Sequence, residues 1–204
     1  STYGPDPIQY RREKGLLDFN EEMGILIQEV VGTKAGKYFF PTFAGVAFTY
    51  NEFRWSPRIR REDGAVRLVM GLGTRAVDRV TNDYPFIISP GNPSIKVNVS
   101  YENVKRYSQN YMDVLNLETN KFETLPVRHL VQEIGSQIPG LKHIISIDKS
   151  GYLMSPLGLF DIDEADFTVT FQGLIEKTHF LKQIKKILEI LKEEFNFPVD
   201  VEFA

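Results

Sequence analysis

Three apolar runs joined by glycine-bearing turns dominate residues 23–78: ILIQEVV at 25–31, AGVAFTY at 44–50 and AVRLVM at 65–70. Each has the length and the β-branched or aromatic content of a strand. The first is interrupted only by Gln28 and Glu29, the pattern of a strand covered on both faces. The third ends at Gly71-Leu72-Gly73, and residues 72–79 open a helix after the glycine pair. Before this block, residues 1–14 read as loop or arm, and DFNEEM at 18–23 as a short helix capped by Asp18 and stopped by Gly24. Residues 32–41 turn the chain, and 51–64 form a polar hairpin region with Asp63-Gly64 as its turn signal.

Downstream, a proline-marked loop carries weak strand signals at 86–89 and 95–99. Residues 111–117 and 121–126 read as a hairpin around Glu118-Thr119-Asn120. Leu130, Val131 and Ile134 fall at helical spacing within 128–138, and 144–147, 152–154 and 167–170 read as short strands. The strongest period lies at 175–195, where Phe180, Ile184, Ile187, Leu188, Leu191 and Phe195 form one stripe and lysines and glutamates cover the rest. Thr178 is its expected N-cap, and PVDVEFA at 198–204 follows as a strand. This order predicts an α+β fold: a mixed or antiparallel sheet with helices packed on one face, the long helix covering the sheet that holds 25–31 and 199–203.

Composition sharpens the picture. Of 204 residues, 42% are apolar, enough for a real core, and the net charge of -3 gives no push toward nucleic acid or anionic membrane. The chain has no cysteine, which excludes disulfides, thiolate nucleophiles and cysteine-ligated zinc and suits a cytoplasmic protein. No apolar run approaches the roughly 20 residues that span a bilayer, and no signal-peptide core is present. The chain opens without Met and stops inside a strand-like run. The expectation is a single excised domain over 1–204, with 1–17 as an N-terminal arm or linker.

Candidate chemistry is sparse. His129, His143 and His179 are scattered without metal spacing, and no nucleophile elbow, Walker loop or zinc-protease motif occurs. Arg54, Arg58, Arg60 and Arg61 either bind an anion or form a solvated face balanced by Glu62 and Asp63. The strand carrying Gln28, Glu29 and Val30 offers backbone N–H and C=O groups to a flat base. Asp200 and Glu202 alternate with Val201 and Phe203, so both carboxylates point to one strand face. That face is a Mg²⁺ site that bridges phosphates, or an exposed sheet face; the residues alone leave both open.

The motifs IQEVV, AGVAFT, GLG and PVDVEFA, in this order, resemble the ATP-binding domain of phosphoenolpyruvate synthase and pyruvate phosphate dikinase, an ATP-grasp fold. GLGTRAVDR at 71–79 is similar to a phosphoenolpyruvate-synthase-like subgroup. The resemblance implies ATP and Mg²⁺ as cofactors. It implies that Gln28, Glu29 and Val30 lie along adenine, that Gly71 and Gly73 let the backbone close over the nucleotide, and that Glu202, with Asp200, holds the metal. It implies a parent enzyme in which ATP phosphorylates a histidine carrier and then pyruvate or a related acceptor. The implied partners are an N-terminal ATP-grasp subdomain and a phosphohistidine domain of the parent chain, with a homodimer through exposed apolar surface as a further expectation. The fragment alone is expected to turn over ATP weakly or not at all. Where the family places a carboxylate after the second glycine, this chain has Thr74 and then Arg75, which moves any metal ligand there elsewhere, Asp78 being the nearest candidate. That departure keeps a non-catalytic nucleotide-binding regulatory module, and a purely structural domain, as alternatives.

Overall fold

The computed structural model describes residues 3–19, 22, 24–77, 83–149, 151–158 and 166–204. Two compact units divide the chain, Ser1–Val30 and Val31–Ala204. In the first, helix α1 (Pro5–Glu13) forms where the sequence reads as loop or arm. Pro5 begins it, Asp6 sits in the first turn and Arg11 and Arg12 in the last, all favourable to the helix dipole. It buries no residue.

The expected strand at 25–31 does not form. Residues 24–32 carry no regular secondary structure, and Ile25, Leu26 and Ile27 are 82%, 80% and 89% exposed. Apolar character is not enough to make a strand: the backbone also needs a neighbour to pair with. The short helix expected at 18–23 is also absent where the chain is described; Asn20, Glu21 and Met23 lie outside the described residues.

Among the described residues, the second unit holds three antiparallel sheets. The first is ordered β1 (Thr33–Ala35), β2 (Tyr38–Phe40), β6 (Tyr111–Asn116) and β7 (Lys121–Pro126). The second is β10 (Phe167–Val169), β8 (Ile145–Lys149) and β9 (Tyr152–Met154). The third is β11 (Asp200–Phe203), β3 (Phe43–Phe48), β4 (Ala65–Met70) and β5 (Phe86–Ile88). Helices α2 (Thr74–Val77), α3 (Tyr101–Arg106), α4 (Val127–Ile134), α5 (Leu141–Ile144), α6 (Gln172–Lys177) and α7 (Phe180–Phe195) connect and cover them.

Register decides what each face of the third sheet does. Val201, Ala47, Val66 and Ile88 form one row, and Phe203, Gly45, Leu68 and Phe86 the next. Both rows belong to the main core or pack against it. Helix α7 covers this side: Phe180 meets Phe43 edge-on at 5.5 Å and Phe203 at 5.8 Å. The expected cover of the 199–203 strand by the long helix is therefore present, while the 25–31 strand has no place in the sheet. The periodic stretch at 175–195 is two helices, broken at Thr178. Its hydroxyl donates to the Leu174 carbonyl at 2.5 Å and accepts from the Phe180 N–H at 3.1 Å, closing one helix and opening the next.

A charged network ties α3 to the second sheet. Lys105 Nζ donates to Asp148 Oδ2 at 2.9 Å and to Asp166 Oδ2 at 2.8 Å. The Tyr101 hydroxyl donates to Asp148 and Arg128 donates to Asp166. The Tyr101 hydroxyl, then Lys105, hold the Asp148 carboxyl below its usual 3.8. Lys105, then Arg128, do the same for Asp166. The two carboxylates, Asp166 first, raise Lys105 above its usual 10.5. Depressed carboxyl pKa values stabilise the fold above the ordinary value of 3.8 and lose that contribution as pH falls through the lowered values. The raised Lys105 contributes fully below 10.5 and fades above it. Thermal melts of the wild type and Lys105→Met should therefore differ by a constant amount between about pH 5 and about pH 9 and converge below about pH 4. An unchanging gap down to about pH 2 would contradict this account.

Candidate functional site

The opposite face of the third sheet is open at one side. Asp200, Phe48 and Ala65 form one row on it, and Glu202, Val46, Arg67 and Ile87 the next. Asp200 and Glu202 are exposed on β11, with Val201 and Phe203 turned to the core between and beyond them. Neither carboxylate makes an ion pair or side-chain hydrogen bond among the described residues. The strand is pinned at its start, where the Val199 N–H donates to Thr49 Oγ1 at 2.9 Å and the Thr49 N–H donates to the Val199 carbonyl at 3.0 Å.

The glycine turn closes over the same face. Gly71 takes φ +86°, the region that favours glycine, and a Cβ there would lie 2.7 Å from the Asp113 carbonyl oxygen. That closeness lets the Leu72 N–H donate to the Asp113 carbonyl at 3.0 Å. Gly73 stands over Ala44, and Ala76 of α2 packs with Val46 and Val69. So Gly71 and Gly73 begin a cap at one end of the face on which Asp200 and Glu202 stand. Gln28, Glu29 and Val30 belong to the first unit, within its segment without regular structure.

Thr74 and Arg75 both reach the buried Asp113. Thr74 Oγ1 donates to Asp113 Oδ2 at 2.6 Å, and Arg75 Nε donates to Asp113 Oδ1 at 3.1 Å. Arg75 Nη1 reaches Asp83 Oδ2 at 3.0 Å, and the Arg75 side chain is only 11% exposed. Asp83 also accepts the N–H groups of Asn110 and Tyr111 at 2.6 and 2.9 Å, and Thr124 donates to Asp113 at 2.6 Å. Thr74 and Arg75 thus clamp the glycine turn to β6. Sequence pattern does not single out Asp83; the signal for Asp113 is its position as a lone charge inside the strand YMDVLN. Asp78 lies outside the described residues.

At Asp200 the face borders a cavity of about 650 Å³ whose lining includes Phe48, Tyr50, Phe53, Phe195 and Phe197 together with Arg67 and Asp200. Arg61 is held there by Glu52 at 2.5 Å and lies over Tyr50 at 4.4 Å from ring centroid to guanidinium carbon. Of the four hairpin arginines, Arg60 and Arg61 are engaged by Asp63 and Glu52. That is the charge-balanced reading of this hairpin, with Glu52 taking the place expected of Glu62.

A family model for the pyruvate phosphate dikinase AMP/ATP-binding domain matches residues 1–204, and the chain belongs to that family. Comparison with curated proteins and with solved structures gives no match. Membership makes this the ATP/AMP-binding part of a pyruvate phosphate dikinase-like enzyme. Among the described residues no group of three or more His, Cys, Asp or Glu is placed to hold a metal ion, and no helix is long and apolar enough to cross a membrane.

Proposed function

We propose that this chain is the ATP-grasp-type nucleotide-binding portion of a phosphoenolpyruvate-synthase-like phosphotransferase. In the parent protein ATP phosphorylates a histidine carrier, and the group passes to pyruvate or a related acceptor. The N-terminal ATP-grasp subdomain and the phosphohistidine domain are its partners within that parent. The observation that carries the reading is the shared face: Asp200 and Glu202 stand exposed and unpartnered on the side of the sheet that the glycine turn caps. Gly71 and Gly73 form the backbone approach, and Gln28, Glu29 and Val30 supply the adenine-side main chain.

Asp200 and Glu202 fit Mg²⁺. This cation keeps several waters and is bound by one or two carboxylates together with substrate phosphates, so a set of two protein ligands is sufficient. When bound, the ion neutralises charge that builds on the phosphates. The chain's own part is positioning. Thr49 and the Phe203 ring hold β11 so that both carboxylates face outward, and the clamp at Arg75 keeps the glycine turn over the sheet.

Glu202→Gln combined with Asp200→Asn should weaken ATP binding in the presence of Mg²⁺ by about tenfold or more and leave metal-free binding nearly unchanged. Calorimetric titration checks this; equal Mg²⁺-dependent affinity in the variant would overturn the metal assignment. A second reading, a nucleotide-binding module without catalysis, is favoured by the engagement of the Thr74 hydroxyl and the Arg75 guanidinium by Asp113, which holds both side chains away from the phosphates. Absence of histidine phosphorylation in the parent, with ATP still bound, would select it.

A further inference from the structure

Arg67 is the one charge inside the apolar strand AVRLVM. Strand alternation places it on the open face, in register with Val46, which is itself in register with Glu202. Glu202 and Arg67 therefore stand in one row across β3, their backbones roughly 9.5 Å apart at the usual strand spacing. The guanidinium carbon lies 5.2 Å from the ring centroids of both Phe48 and Phe53. These rings order the side chain but take none of its five N–H donors as strong hydrogen bonds. Among the described residues Arg67 has no carboxylate partner, whereas Arg61, the other arginine of the cavity, is already held by Glu52.

The cavity lining thus includes a half-buried guanidinium without a carboxylate partner among the described residues and an unpartnered, exposed carboxylate, Asp200. A bare anion would be attracted by one and repelled by the other. A polyphosphate chelating a divalent cation satisfies both, the cation side toward the carboxylates and phosphate oxygens toward the guanidinium. We propose that Arg67 is a phosphate-binding residue of this site, reaching the phosphates of the metal-bound group from the row it shares with Glu202. The proposal rests on the metal reading of Asp200 and Glu202. It gives this chain a cationic phosphate contact from its own central sheet.

The test uses inorganic tripolyphosphate and Mn²⁺, with free Mn²⁺ followed by electron paramagnetic resonance. Arg67→Met keeps the stem that packs on Phe48, and Arg67→Gln is the second variant in case the first fails to fold. Expected is a loss of tripolyphosphate affinity of about tenfold or more in either variant, with Mn²⁺ affinity unchanged. Arg67→Lys, which keeps the charge and loses the fork, should fall between. Undiminished tripolyphosphate binding by the Met and Gln variants, or no tripolyphosphate binding by the wild type at millimolar concentration with Mn²⁺, overturns the role of Arg67. Failure of the underlying metal reading shows separately, as Mn²⁺ affinity unaltered by Glu202→Gln.

Discussion

Asp113→Ala should destabilise the chain by about 3–5 kcal/mol, the cost of removing one partner from a buried ion pair. Asp113 is nearly buried and accepts from Thr74, Arg75 and Thr124 at once. Its loss takes one of two carboxylates from the mostly buried Arg75 guanidinium, leaving Asp83, and releases the Thr74 and Thr124 hydroxyls to water. For a chain of this size each kcal/mol lowers the melting temperature by roughly 2–4 °C, so a fall of about 10 °C is expected. Thermal melting measures it. Arg75→Met should also destabilise, because it leaves both Asp113 and Asp83 buried without their cation. A drop of less than about 1 kcal/mol for Asp113→Ala would mean that the clamp contributes little.

The second large effect is expected at Gly45, in the middle of β3. A Cβ there would lie 2.2 Å from the Arg67 carbonyl oxygen and 2.8 Å from the Phe203 ring. The first obstacle is backbone and cannot move aside without parting β3 from β4. Gly45→Ala should therefore cost at least the upper end of the about 1–3 kcal/mol typical of overpacking. It should also weaken Mn²⁺ binding, since β3 is the strand against which both Glu202 and Arg67 are set. Denaturant unfolding and metal titration of the same variant check the two parts. A stable variant that binds metal normally would show that the sheet absorbs the methyl group elsewhere.

Much of the fold was legible because alternation and turn residues agreed with the final pairing. The run at 65–70 and the hairpin arm at 121–126 appear with the expected bounds, and 111–117 with one residue fewer. The α+β class with antiparallel sheets stands. Three kinds of error have separate causes. The 25–31 run has strand composition but no paired neighbour among the described residues, and composition cannot report pairing. Strands β1 and β2 hide in a stretch read as a turn, since three residues each are too few to show a period. The 95–99 signal yields no strand, and helix α3 was not foreseen; its Ser100 cap accepts from the Asn103 N–H at 3.2 Å. At the site, the common face of Asp200 and Glu202 followed from alternation alone. The engagement of Thr74 and Arg75 did not, because it depends on Asp113, 38 residues from Arg75.

A four-residue strand paired on one side has two phases relative to its neighbour, and they differ in which residues face water. Slipped by one residue, β11 would bury both carboxylates and expose Val201 and Phe203. Phe203 sets the phase, since its ring fits the space left by Gly45 and meets Phe180. An aromatic side chain on the dry side of the sheet thus acts as the index mark for acidic groups on the wet side. The outward aim of Asp200 and Glu202 is in this sense a property of the hydrophobic core.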